Sequence, residues 1–155
     1  KSFVVMSGSV DSPVSTARPQ GAVAQLKGSD VDIVEVEGDY SYQRACALTR
    51  EVMNSAKHNP DAFVCTNDIM AIGCLDTLRI EYNISIPQDI SVVGFDGVEA
   101  ATWLNYNLTT VIQPLERMVA AAVEMILERI EQPALPAEKR LFAGTVKHGT
   151  TAQLD

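Results

Sequence analysis

Cysteine, histidine and tryptophan are scarce in this sequence, and no stretch of it is strongly basic or continuously apolar. Its three cysteines, Cys46, Cys65 and Cys74, are widely spaced without a Cys-x-x-Cys pair, and His58 and His148 offer no clustered partner. That usage argues against a disulfide framework or a metal site. It fits small buried hydrophobes in a reducing cytoplasm, with no metal and no cofactor expected. No apolar run nears the roughly 18 residues of a membrane span, so no membrane partner is expected. The opening Lys1-Ser2-Phe3 has neither an initiator Met nor the layout of a signal peptide. It leads straight into a strand-like segment, which suggests a fragment lacking its natural N-terminal part.

Basic residues are also in deficit. Lys and Arg number 12 against 20 Asp and Glu, for a formal net charge of −8. A surface so acidic repels phosphate backbones, so any DNA contact would belong to a module outside this chain. The phosphate-cradling Gly-x-x-x-x-Gly-Lys loop, the Gly-x-Gly-x-x-Gly fingerprint and the Gly-x-Ser-x-Gly elbow are all missing. With no plausible triad, no catalytic residue is assigned and an enzyme is not expected.

What is present is a steady alternation of apolar and turn signals. Strands are predicted at Phe3–Met6, Val31–Val36, Ala62–Cys65, Ile90–Val93 and Thr109–Ile112. Helices are predicted from Thr16, capped by Ser15, to about Lys27, and from Tyr42, capped by Ser41, to about Lys57. A third is capped by Asn67 or Asp68, a short one spans Glu99–Leu104, and the longest runs from Leu115 to about Gln132. The tail from Leu141 reads as extended segments broken by Gly144 and Gly149. This βα rhythm predicts an α/β fold, a three-layer α/β/α arrangement of a mainly parallel sheet covered on both faces. Ligands in such folds collect at the C-terminal strand ends. The loops there are rich in Ser, Asp, Tyr, Asn and Gln, which suit a polar, hydroxyl-bearing molecule.

Several segments carry a family resemblance. Thr66-Asn67-Asp68-Ile69-Met70-Ala71-Ile72-Gly73 resembles the signature that opens a helix in LacI/GalR-type transcriptional regulators. Ile86-Pro87-Gln88-Asp89-Ile90-Ser91-Val92-Val93-Gly94-Phe95-Asp96 and Leu108-Thr109-Thr110-Val111-Ile112-Gln113-Pro114 are similar to two further family motifs, in the same order. Met118-Val119-Ala120-Ala121-Ala122 stands where the family has a Met-Gly run, its glycine replaced. The closing Val146-Lys147-His148-Gly149-Thr150-Thr151 is also similar, with changes. Gly8, Arg18 and Gly21 represent a less diagnostic N-terminal element.

The resemblance implies a lobe of the periplasmic-binding-protein-like I effector domain. Residues 1–112 would be its C-terminal lobe, 113–133 a crossover and helix packing in the N-terminal lobe, and 134–155 the return segment. The helix-turn-helix headpiece and most of the N-terminal lobe would be absent. It implies ligand-binding roles for Arg18, Asn67, Asp96 and Tyr40, with Gln113, Ser12 and Ser15 as weaker candidates. Each has a plainer alternative. Arg18 could capture a surface carboxylate, Asp96 and Asn67 could cap helices, and Tyr40 could be partial core. Gln113 could merely satisfy the hinge backbone. Asp68 is assigned to structure. Ile72, Leu75, Asp76, Trp103, Leu104 and Tyr106 fall where the resemblance puts homodimer contacts, against a reading as ordinary core or isolated surface residues. The implied function is effector sensing in a cytoplasmic repressor: a sugar or related molecule closes two lobes, and a headpiece beyond this chain releases or holds operator DNA. The alternative is a solute-binding protein of a sugar transporter.

Overall fold

The structure, a computed structural model, describes residues 1–153 apart from 10 and 12. Ser12, one of the candidate ligand residues, therefore lies outside the described residues. Six strands form one sheet in the order β2-β1-β3-β4-β5-β6. They are β1 Ser2–Ser7, β2 Asp32–Glu37, β3 Ala62–Cys65, β4 Ser91–Asp96, β5 Thr109–Ile112 and β6 Thr145–Lys147. All pairings are parallel except β5 with β6. The helices are α1 Pro13–Leu26, α2 Tyr42–Met53, α3 Asp68–Glu81 and α4 Leu115–Glu131, with a 3-10 turn at Glu99–Thr102.

β1 shows why the sheet is layered. Val4, Val5 and Met6 are consecutive, point to alternate faces, and are all completely buried. Only a strand covered from both sides reads as an unbroken apolar run. One face packs on α2 and α3, where Phe63, Met70, Leu75, Leu78, Val92 and Leu108 form the centre of the core. α1 takes the other face but covers only part of it. Beyond it, a cavity of about 510 Å³ opens between α1 and Val64, Val93, Val111 and Val146. The expected double cover is thus complete on the α2–α3 side and partial on the α1 side.

α4 differs from the other helices. None of its residues is buried, and Leu115, Val119, Val123, Ile126, Leu127 and Ile130 are all more than half exposed. Among the described residues nothing buries its apolar face. The tail, by contrast, returns to the sheet. β6 pairs with β5, and the buried Thr151 hydroxyl donates to the Val92 carbonyl while accepting the Thr109 amide.

Element ends differ from expectation at the end of β4, which runs on to Asp96 rather than Val93, and at two helices. α1 starts at Pro13, so Ser15 lies inside the helix, is buried, and is not its cap. α2 stops at Met53, short of Lys57, because Asn54 takes the C-cap, its amide donating back to the Arg50 and Val52 carbonyls.

Candidate functional site

The connection from β1 to β2 runs one way along the sheet, and those from β2 through β5 run the other. The reversal leaves a crevice beyond the C-terminal ends of β1 and β3, the usual ligand position in such sheets. Arg18 reaches it from α1. Its Nη1 donates to the Thr66 carbonyl at the end of β3 (2.7 Å), and its Nη2 lies 3.0 Å from Asp96 Oδ1 at the end of β4. The guanidinium carbon sits 4.2 Å above the centre of the Phe95 ring, a cation–π contact that fixes the plane of the fork. Gln113, just past β5, donates from Nε2 to the same Oδ1 of Asp96 at 2.7 Å. The ends of β3, β4 and β5 are thereby joined through Arg18 and one carboxylate oxygen.

Asp96 is held under strain. Its φ of 124° is a region that residues with a side chain rarely adopt, and such backbone concentrates at binding sites. Burial pushes its pKa above the ordinary carboxylate value, while the Arg18 charge and the bonds from Gln113 and Arg18 pull it back down. Its second oxygen, Oδ2, accepts no hydrogen bond from the described residues. It is available to a hydroxyl.

Tyr40 stands just beyond β2, partly buried against the hydrophobic core, the plainer of the places open to it. Its φ of 53° is unusual for a bulky residue, and Asp39 before it shares that value. The Tyr40 hydroxyl and Ser15 Oγ are 2.7 Å apart. The ring lies so close over Gly8 that a methyl group there would stand 2.0 Å from the ring carbons. Only glycine at the end of β1 leaves room for it. Ser15, expected as a helix cap, instead positions this aromatic.

Asn67 takes the plainer of the two roles open to it, and Asp68 keeps the structural one assigned to it. Asn67 is the N-cap of α3, its Oδ1 accepting the Met70 amide at 2.9 Å, so the cap was not left to Asp68. Its Nδ2 makes no bond among the described residues and is the part that remains for a ligand. Asp68 is buried, and Oδ2 accepts the Gly97 and Val98 amides at 2.7 and 2.8 Å while Oδ1 accepts the Thr110 hydroxyl at 2.5 Å. It is a structural staple, as expected.

Thr66 and Phe95 were not singled out from the sequence, although both stand inside the quoted motifs. Thr66 supplies the carbonyl that anchors Arg18, and its own buried Oγ1 has no partner among the described residues. Phe95 supplies the shelf. A signal existed: both flank an assigned residue at a strand end. The nearby 510 Å³ cavity shares Arg18, Thr66 and Phe95 with this polar cluster, but Tyr40, Asn67, Asp96 and Gln113 do not line it.

The residues expected at a homodimer contact separate into two groups. Leu75 is fully buried in its own chain and Ile72 is 6% exposed, so both belong to the core and are withdrawn from the contact set. Asp76 Oδ2 is occupied internally, accepting the Tyr42 and Tyr106 hydroxyls at 2.9 and 3.1 Å. Those bonds, with burial, raise the pKa of both phenols. Trp103 and Leu104 face outward, at 55% and 99% exposure.

An open, mainly parallel sheet with polar side chains gathered at its switch point defines a ligand-binding α/β lobe. Residues 3–151 match the periplasmic binding protein-like domain, and the chain belongs to that family. It is 34% identical over 140 residues to the HTH-type transcriptional repressor PurR of Vibrio atlanticus, covering 88% of this chain and 41% of that protein. The PurR of Yersinia pestis is 35% identical over 116 residues, 73% of this chain and 33% of its own length. The chain thus spans less than half the length of these relatives. Among solved structures, the Lac repressor dimer bound to operator and the anti-inducer ONPF superposes with a TM-score of 0.88 at 25% identity, covering 99% of this chain and 53% of that one. An uncharacterized protein from Actinobacillus succinogenes gives 0.85 at 29% identity, covering 99% and 56%. Homology to repressors favours the regulator over the transporter receptor.

Proposed function

We propose that this chain is the effector-sensing lobe of a LacI-type repressor, and that its cleft takes a sugar or related hydroxyl-bearing molecule between Asp96, Arg18 and Tyr40. The observation that carries this reading is the Asp96 carboxylate. It is half-buried, strained, and braced on one oxygen by Arg18 and Gln113, with the other oxygen left to accept hydroxyls. Tyr40 offers a ring face for the apolar side of a sugar, and the Asn67 Nδ2 an additional donor. The unpartnered face of α4 supports its packing in a second lobe supplied by the rest of the polypeptide. Closure of the two lobes on effector would bias the dimer between its DNA-binding and DNA-releasing states. Operator contact would fall to a headpiece outside this chain, in a cytoplasmic protein with no catalytic step.

Calorimetry of the complete polypeptide against a panel of sugars and nucleosides tests the reading. At least one should bind, and Arg18→Met should weaken that binding by roughly tenfold to a hundredfold, the loss of one charge-assisted contact. Tight binding that Arg18→Met leaves unchanged would place the effector elsewhere.

A further inference from the structure

We propose, building on that reading of the cleft, that it excludes anions: the effector is uncharged, and a counterpart bearing a phosphate or carboxylate is rejected. The strand-end segments 7–15, 38–41, 66–68 and 96–99 contain Asp11, Asp39, Asp68, Asp96 and Glu99, and no Lys or Arg. Arg18 is the cation that the fold brings to them. It could serve an anionic ligand only if its charge were free, and it is not. Asp96 lies 3.0 Å from one end of the guanidinium, the Thr66 carbonyl takes the other, and Phe95 covers a face. An incoming phosphate would have to displace Asp96 from Arg18, leaving a half-buried carboxylate without its counter-ion beside a second negative charge. That cost is heavy in a partly desolvated site. The burial that already disfavours the Asp96 charge acts in the same direction. The chain's net charge of −8 adds repulsion at longer range.

A neutral polyol meets none of these obstacles. Its hydroxyls can donate to Asp96 Oδ2 and accept from the guanidinium and from Asn67 Nδ2 without breaking the ion pair. The pair thus acts as a neutral donor–acceptor unit matched to adjacent hydroxyls.

The experiment compares matched pairs on the complete polypeptide by calorimetry. Glucose, ribose and adenosine are each set beside their monophosphate, and galactose beside its uronic acid. Wherever a pair binds at all, the neutral member should bind at least about tenfold more tightly, the effect of one uncompensated charge at short range. Asp96→Asn should narrow or reverse that ratio, because it frees the Arg18 charge for an anion. Equal or tighter binding of any anionic member overturns the proposal. So does a preference for neutral ligands that Asp96→Asn leaves unmoved, whatever the stability of the variant. If no compound of either charge binds, the sugar-binding reading of the cleft fails first and this proposal falls with it.

Discussion

At the scale of single residues, Asp96 carries opposing demands. Its burial raises its pKa above the ordinary 3.8. A carboxyl whose pKa is higher in the folded than in the unfolded chain favours folding most when protonated. That contribution is full below the unfolded value and is lost as the pH rises through the folded one. Near neutrality the charged Asp96 is therefore a net cost to stability, one that the proposed binding role would explain. Asp96→Asn keeps the shape and an acceptor for Arg18 and Gln113 while removing the charge. Thermal melts should give the variant a midpoint equal to or above the parent at neutral pH, with the difference closing as the pH falls towards about 4. Sugar binding should nonetheless be weakened. A midpoint well below the parent at neutral pH would mean that the Arg18 ion pair outweighs the burial of the carboxylate.

The same scale shows what the sequence could and could not convey. Arg18, Asp96 and Gln113 were legible because each sits at a fixed place in a motif, and the structure brings the three onto one oxygen. The division of labour between Asn67 and Asp68 was not legible. Both side chains can cap a helix, and the choice is made by amides of Gly97 and Val98 arriving from a different strand. Ser15 was misplaced for a related reason: its partner, Tyr40, lies across the β2 end, and no local pattern announces that hydroxyl contact.

At the scale of elements, Asp68 ties the start of α3 to the end of β4 and to β5. Gly94 leaves room for it, since a methyl group there would stand 2.3 Å from Asp68 Oδ1. Asp68→Ala strands two backbone amides and a hydroxyl in a buried place. Urea denaturation should show a loss of about 2–4 kcal/mol, the usual cost of buried polar groups left unpaired. Thr110→Val removes one of the three contacts and keeps the volume, so it should cost less than Asp68→Ala. A variant of Asp68 as stable as the parent would show that water replaces the staple. Strand positions and the existence of every helix were readable from apolar periodicity. Helix ends were not, because α1 begins and α2 ends where distant backbone groups and caps decide.

At the scale of the whole molecule, the exposed apolar face of α4 and the partly covered sheet are the features on which the proposed second lobe rests. The wide apolar stripe of α4 was evident in the sequence, but only the structure shows that none of the described residues buries it. The outward pair Trp103 and Leu104 poses a separate question, because a second copy is the partner proposed for it. Their exposure is not shared by Leu75 and Ile72, which the family resemblance had grouped with them. Trp103 is the one tryptophan of this sequence, so in a polypeptide whose tryptophans elsewhere are replaced by phenylalanine the fluorescence reports on that face. If the face pairs two copies, emission of that complete polypeptide should shift to shorter wavelength as concentration rises through the dimerisation range, as the indole leaves water. Leu104→Glu should abolish that shift and lower the sedimenting mass, without lowering the thermal midpoint of the monomer, because an almost fully exposed leucine contributes little to its own fold. A dimer by sedimentation whose Trp103 emission stays constant with concentration would show that the copies meet through another surface.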